Sequence, residues 1–261
     1  MSTAGIGRRQ FLTLALGLVL APAPAAAIPA PRSSDYLVEA EILYGLLSFR
    51  LQGRIQEWID RPAGRYRVVA AGQGDSIANH VESEGVLRDG RWAPLRSASL
   101  FEVHGRQSRT AIDYDYPGRA VRYRARGETF FRRRLRVVDD RMALPGGHVD
   151  DAVTALLNYR DGLWRPGADG RLRTRVIRRR RSEDEGPDEV AAVYRAEAVP
   201  LELVIERDAR TGKRTALFDL SGFSSWARGS KPARIDFGQD SRPERISSSM
   251  ILGTSVTIRI G

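Results

Sequence analysis

The feature that most restricts the fold of this chain is an alternation of apolar and polar residues with a period of two. Residues 36–42 place apolar side chains at the even positions, with Glu39 and Glu41 between them. Residues 121–126 alternate with arginines, and residues 255–260 alternate apolar with polar side chains. Successive strand residues point to opposite faces, so the pattern predicts strands with one face on a core. Such one-sided strands favour antiparallel pairing, because strands of parallel sheets are buried on both faces.

Weaker alternation and regular turn residues extend this prediction along the chain. Gly and Pro separate most of the apolar segments, at spacings typical of short strands. The sequence therefore predicts a mainly β protein, an antiparallel, strongly curved sheet or a barrel-like β-sandwich. The weaker strand segments are residues 55–59, 66–70, 99–103, 172–176, 190–196, 201–205 and 215–218.

One helix is predicted at about residues 150–161, in the middle of this β-rich pattern. Asp150 suits the cap of the first turn, and Asp151 suits the positive end of the helix dipole. Gly162 is the expected end. Four side chains fall on one face at helical spacing, and we expect the helix to plug or cover one side of the sheet. They are Val153, Leu156, Leu157 and Arg160.

Residues 1–27 have the pattern of an export signal. Arg8 and Arg9 precede an apolar run at residues 11–20, and small residues follow as far as an A-x-A cleavage pattern at Ala27. The run is too short for a membrane-spanning helix, which needs about 20 residues. We therefore expect a periplasmic protein without a transmembrane anchor. The predicted organisation is a signal peptide at 1–27, a flexible lead at 28–35 and a single β-rich domain at 36–261.

The paired arginines resemble a twin-arginine signal, in which they precede a Phe-Leu pair. Gly7 stands where Ser or Thr is usual, and Thr13 stands where Lys is common. The general secretory route therefore stays open as the alternative.

The charge is strongly basic, and nearly all of it comes from arginine. Lys plus Arg is 42 and Asp plus Glu is 32, which gives a net charge of +10. The dense clusters are residues 132–134 and 178–181, and acidic residues follow the second. Adjacent basic and acidic blocks are typical of a solvated hairpin tip. Nucleic acid is not expected as a partner of an exported protein, whereas anionic lipid or an envelope polymer remains open.

Sequence motifs for chemistry are absent, so no catalytic residue, metal site or cofactor is predicted. The chain has no Cys, which excludes disulfides and thiol catalysis, and it lacks the G-x-S-x-G, H-E-x-x-H and P-loop patterns. His80, His104 and His148 lie too far apart in sequence to form a local metal pair. Paired acids occur at residues 139–140 and 150–151, where loop solvation and helix capping explain them without chemistry.

Large aromatic and neighbouring polar side chains give the candidate ligand-binding residues. Ser224, Ser225 and Trp226 form the most distinctive segment, which suits either a polar and apolar site or a packed corner. Trp58 and Trp164 suit either a ligand platform or the core.

The chain resembles the exported bacterial proteins of domain-of-unknown-function family 3108. The resemblance rests on an opening strand pair around Gly45, on residues 84–94 and on the acidic helix start at residues 150–157. It extends from about residue 36 to the C-terminus. It implies a periplasmic β-sheet protein curved around an apolar interior and brings no established activity.

Three functions follow from these observations. The first is a non-enzymatic periplasmic protein that binds or carries a hydrophobic ligand, such as a lipid, in a β-sheet cavity. The second is a structural or assembly module of the cell envelope that binds another protein by a sheet edge. The third is a hydrolase with an unrecognised site. This hydrolase would require two of Asp139, Asp140, His148 and Asp150 to converge within hydrogen-bond reach in a concave pocket.

Overall fold

The computed structural model describes residues 30–129, 131–181, 185–186, 188–224, 226–227 and 230–261. The predicted signal peptide and cleavage site lie outside these residues. The elements are β1 (Arg32–Ile42), β2 (Leu47–Asp60), β3 (Arg65–Gln73), β4 (Ile77–Arg88), β5 (Arg91–Val103), β6 (Arg106–Asp115), β7 (Ala120–Glu128), β8 (Leu135–Ala143), α1 (Ala152–Arg160), β9 (Leu172–Arg179), β10 (Ala196–Arg207), β11 (Arg214–Phe218), β12 (Ala233–Phe237), β13 (Pro243–Ser249), a short 3-10 turn (Ile251–Gly253) and β14 (Ser255–Ile260).

All fourteen strands belong to one antiparallel sheet that curves into a nearly closed barrel. The strand order is β8-β7-β6-β5-β4-β3-β2-β1-β14-β13-β12-β11-β10-β9. Pairing of β1 with β14 brings the two ends of the domain together, with Tyr36 opposite Ile260. The predicted class, a mainly β, strongly curved antiparallel sheet with one central helix, is confirmed.

The two terminal strands of the sheet, β8 and β9, meet through side chains. Asp140 of β8 accepts a hydrogen bond from the backbone N–H of Ala196 at 2.8 Å, at the start of β10. Val138 of β8 and Tyr123 of β7 pack in one cluster with Ile177 of β9. This contact closes the barrel where no strand-to-strand hydrogen bonds join β8 to β9 among the described residues.

Side chains on alternate positions fill the interior, and two glycines make room for Tyr36. A Cβ added at Gly53 would lie 2.4 Å from the Tyr36 ring, and one at Gly72 would lie 2.6 Å from its hydroxyl. The Tyr36 side chain passes over the two glycines, and its hydroxyl donates to Asn79 Oδ1 at 2.6 Å. Because neither position has space for a larger side chain, the glycines set how closely the ring approaches β2 and β3.

Helix α1 lies against the inside of the sheet. Asp151 is its N-cap and accepts from the Thr154 amide at 2.7 Å, while the Thr154 hydroxyl accepts from the Asp151 amide at 2.8 Å. Gly162, at φ +67°, follows the helix, and its N–H donates to the Tyr159 carbonyl. Asp150 does not cap the helix, in contrast to the prediction, because its carboxylate is taken up by other partners in the interior.

Two predicted boundaries differ from the structure. Residues 32–35, expected in a flexible lead, belong to β1 because they pair with residues 54–57 of β2. Residues 190–195, expected in a strand, form an irregular segment in which the Ala191 amide donates to the Tyr194 hydroxyl. Tyr194 is buried there in the cluster that closes the barrel. Among the described residues, no helix is long and apolar enough to cross a membrane.

Candidate ligand cavity

A cavity of about 350 Å³ lies between α1 and the barrel wall. Its volume falls at the lower end of the range for small-molecule sites. Apolar side chains from five elements line most of it, and charged side chains gather at one end. The apolar lining consists of Ile55, Val68, Ala70, Val153, Leu156, Leu157, Pro243 and Ile260.

The helix presents one continuous face to this cavity. Val153, Leu156, Leu157 and Arg160 all line it. They are the four residues that helical spacing assigns to one face, three of them apolar and the last one charged. The other side of α1 is packed, with Ala155 and Asn158 buried. The cavity therefore lies along the helix face that the spacing of these four residues predicts.

Three separate core clusters border the cavity. Val68 and Leu157 belong to the cluster around Trp92, whereas Ile260 packs on the cluster around Tyr36. Leu156 packs on the cluster around Phe237. The space thus lies where three groups of interior side chains meet without filling the volume between them.

Glu57 organises the charged end of the cavity, which we call the rim. Its carboxylate accepts from Arg160 Nη1 at 3.0 Å and from Arg242 Nη1 at 2.8 Å. These three side chains are mostly buried, with exposed fractions of 16%, 9% and 20%. One carboxylate therefore joins β2, the end of α1 and the turn before β13. Arg32 and Asp240, more than half exposed, complete the rim toward solvent.

Asp161, the residue after α1, connects the end of the helix to the barrel wall next to the rim. It accepts from Arg160 Nε at 2.8 Å, from Trp92 Nε1 at 3.0 Å and from Arg61 at 3.1 Å. Burial opposes the ionised carboxylate, but the hydrogen bonds from Arg160 and Trp92 outweigh it and hold the pKa of Asp161 below its usual value.

The start of the helix is anchored by a buried ionic network around Asp150. Its carboxylate accepts from Arg91 Nη2 at 2.5 Å, from Thr174 Oγ1 at 2.6 Å and from Asn158 Nδ2 at 2.8 Å. Asn158 also exchanges two hydrogen bonds with the backbone of Trp92. These contacts tie α1 to β5 and β9, and they fix the helix at a set distance from the wall.

A second buried group surrounds Asp151. Its Oδ2 accepts from Ser83 Oγ at 2.6 Å, and Ser83 lies 2.8 Å from the Tyr66 hydroxyl. Burial raises the pKa of Asp151, although the hydrogen bonds from Ser83 and Thr154 favour its ionised form. Burial also raises the pKa of Tyr66, and the nearby Asp151 raises it further. Both groups lie in the interior and position the helix.

Larger hollows occur elsewhere in the molecule, and the two described next differ from this cavity in their lining. The first, about 850 Å³, opens at one end of the barrel among charged residues that include Glu39, Glu41 and Arg50. The second, about 460 Å³, lies beside His148 and Tyr116. Burial and nearby Arg91 lower the pKa of His148. We regard the smaller cavity as the candidate site because it combines an apolar body with a charged rim.

Trp58, Trp164, Ser224 and Trp226, the predicted ligand-binding residues that the structure describes, are not among the residues that line this cavity. Trp58 is paired with Arg67 across β2 and β3, and the Arg67 guanidinium lies 5.5 Å from the centre of its ring. Trp164 is buried in the core and donates to the Arg173 carbonyl at 3.0 Å. Ser224 accepts from the Trp226 amide in a turn, and Ser225 lies outside the described residues. Trp58 and Trp164 therefore have partners of their own, separate from the turn that holds Ser224 and Trp226.

The acids and the histidine considered for a hydrolase have separate partners. Asp139 pairs with Arg122, Asp140 binds the Ala196 amide, and Asp150 binds Arg91. No hydrogen bond joins any two of these acids and His148, all four of which are among the described residues. The rim formed by Glu57 and Arg242 was not predicted, because nothing local in the sequence distinguishes these two side chains.

Comparison with known proteins gives a distant structural similarity. No family model matches the chain, and no curated protein matches it. A solved structure, the β-barrel-like protein of domain of unknown function DUF1849 from Brucella abortus, aligns with a TM-score of 0.43 and 9% identity, covering 89% of this chain and 96% of that one. The resemblance to family 3108 stays a prediction.

Proposed function

We propose that this protein is an exported, non-enzymatic carrier that binds a hydrophobic ligand in the cavity between α1 and the barrel wall. The observation that supports the proposal most strongly is the face of α1. Val153 and Leu156 are only partly buried although the helix lies inside the sheet. Apolar surface left facing a water-accessible cavity is stabilised when a ligand removes it from water.

The barrel also suits this role because its cavity is held open by rigid anchors at both helix ends. The Asp150 network fixes the start of α1, and the Glu57 rim fixes its last residue. A helix fixed at both ends is less able to collapse onto the wall. Such a preformed cavity reduces the ordering cost of binding.

Filling the cavity tests the proposal. Ala70 lines the cavity from β3, and the neighbouring Ala71 points to the opposite, exposed face. We expect Ala70→Phe to weaken binding of an apolar fluorescent probe by about tenfold or more, since the ring occupies the ligand's space. Ala71→Phe is the matched control and is expected to bind like the unmodified protein.

Fluorescence titration measures both variants, and a circular dichroism melt shows whether each is folded. Equal probe affinity in the folded Ala70→Phe variant and the control would contradict the proposal. A complete lack of probe binding by the unmodified protein would contradict it as well.

A second function, docking of another envelope protein at the sheet edge, is supported by β8. This terminal strand has no strand partner on its outer side among the described residues, and Leu135 and Val137 are 44% and 51% exposed. Exposed apolar side chains on a terminal strand are the contacts that an added strand would use. If this edge docks a partner, Val137→Lys abolishes co-purification of that partner while leaving probe binding unchanged. Co-purification that persists in the variant argues against the edge.

A further inference from the structure

Resting on the proposed function, we propose that the ligand is a single-chain carboxylate whose head group binds Arg242 and Arg160 at the rim. Its alkyl chain then lies along the Val153, Leu156 and Leu157 face of α1. Arg242 and Arg160 are thus the two side chains that select this class of ligand.

Arg242 has donor capacity that the rim does not use. Its Nη1 contacts both oxygens of Glu57 at 2.8 Å, and its Nε lies 3.3 Å from Asp240 Oδ2. Its Nη2 has no hydrogen-bond partner among the described residues, although the side chain lines the cavity. An arginine carries five N–H donors in a planar fork that matches a carboxylate.

Arg160 supplies a second incomplete guanidinium. Its Nη1 donates to Glu57 and its Nε to Asp161, whereas its Nη2 is enclosed and lacks a partner in the described part of the chain. A buried donor of a charged group without an acceptor costs free energy. Because this Nη2 is closed off from the cavity, a ligand oxygen at the rim would satisfy it once the Arg160 guanidinium turns toward the ligand.

The remaining charges at the rim are closer to solvent. Arg32, Asp240 and Glu244 are 57%, 53% and 51% exposed, and Glu244 pairs with Lys213. Exposed charges are screened by water and salt, so they contribute little to the choice of ligand. The least exposed charged groups that line the cavity are therefore Arg160, Glu57 and Arg242, which are two guanidiniums that share one carboxylate. Asp161 faces Arg160 from behind and is itself shared with Arg61.

The length of the helix face determines how long an alkyl chain the cavity can hold in an extended form. Val153 and Arg160 are seven residues apart, which is about 10 Å along a helix. A medium-length alkyl chain that starts at Arg160 reaches Val153. Longer chains would have to fold back or leave the cavity.

Calorimetric titration with three probes of equal chain length tests the head group. We expect decanoate to bind the unmodified protein about tenfold more tightly than decanol, because its carboxylate forms charge-assisted hydrogen bonds, and decylammonium to bind most weakly. Arg242→Gln is expected to remove the preference for decanoate, measured as the ratio of the decanoate and decanol affinities of the same variant. Arg242→Lys, which keeps the charge but loses the fork, is expected to restore part of the preference.

Arg245→Gln is the matched control, because Arg245 is exposed on β13 and the charge change is the same. It is expected to keep the full preference for decanoate. Equal affinity for decanoate and decanol, or a preference that survives Arg242→Gln, overturns the head-group assignment while leaving the carrier function standing. Failure of all three probes to bind overturns the carrier function itself.

Discussion

Asp150 shows how single residues hold the site in place. Its carboxylate is 1% exposed and is satisfied by one cation and two neutral donors. The sequence marks it as a helix cap, but Asp151 performs that role and Asp150 binds Arg91 of β5. Both acids precede the helix, and only the tertiary structure determines which one turns toward the core. Local spacing therefore predicts the acidic helix start but not the division of roles.

Loss of the Asp150 carboxylate is expected to destabilise the fold strongly. Asp150→Ala leaves the Arg91 guanidinium buried without its partner, and breaking such a buried pair costs about 3–5 kcal/mol. Asp35→Ala, which breaks the exposed pair with Arg54, is the control and is expected to cost less than about 1 kcal/mol. Urea denaturation measures both free energies of unfolding. Similar values for the two variants would contradict the structural role of Asp150.

At the scale of elements, strands with an apolar inner face are the most predictable. Residues 66–70 and 215–218 show the alternation, and they lie in β3 and β11. Strand β4 was not predicted, because its inner positions include the polar Asn79 and Ser83, which bind Tyr36 and Asp151. Buried polar residues break the period-two pattern on which the prediction depends.

Of the candidate cavity, the sequence predicts the helix face but not the charged rim. The apolar face of α1 follows from spacing alone. The rim does not, because Glu57 is 103 residues from Arg160 and 185 residues from Arg242. The tryptophans and serines considered from the sequence attract attention by size and local composition, which do not report where side chains meet in space.

The two ends of α1 are expected to respond to pH in opposite directions. Burial raises the pKa of Asp151 in the folded state, so folding favours its protonated form and stability falls as pH rises through the carboxyl range. Asp151→Asn removes this loss and should gain stability relative to the unmodified protein between about pH 3 and pH 7. Asp161 has a lowered pKa, so its contribution is present above the usual carboxyl pKa and is lost as pH falls.

As pH rises over the same range, the unmodified protein gains the stability contributed by ionised Asp161, whereas Asp161→Asn does not. The free energy of unfolding of Asp161→Asn is therefore expected to fall relative to that of the unmodified protein. Denaturation curves at several pH values report both differences. A shift of the two variants in the same direction would contradict the opposite environments assigned to the helix ends.

At the scale of the whole molecule, the sheet forms a nearly closed barrel around its own helix. Pairing of β1 with β14 joins the two ends of the domain, and Asp140 links β8 to the start of β10. Four core clusters fill most of the interior, and three of them border an apolar cavity with a charged rim along α1. A rigid shell, an apolar cavity and incompletely paired arginines are the features on which the proposed carrier of amphiphilic carboxylates rests.

A crystal structure of the protein with a bromine-labelled decanoate tests this account most directly. We predict an anomalous bromine peak between α1 and the barrel wall, near Val153 and Ile55, with the carboxylate at Arg242. Bromine found only on the outer surface, with Leu156 packed directly against Ile260 and no space between them, would contradict it.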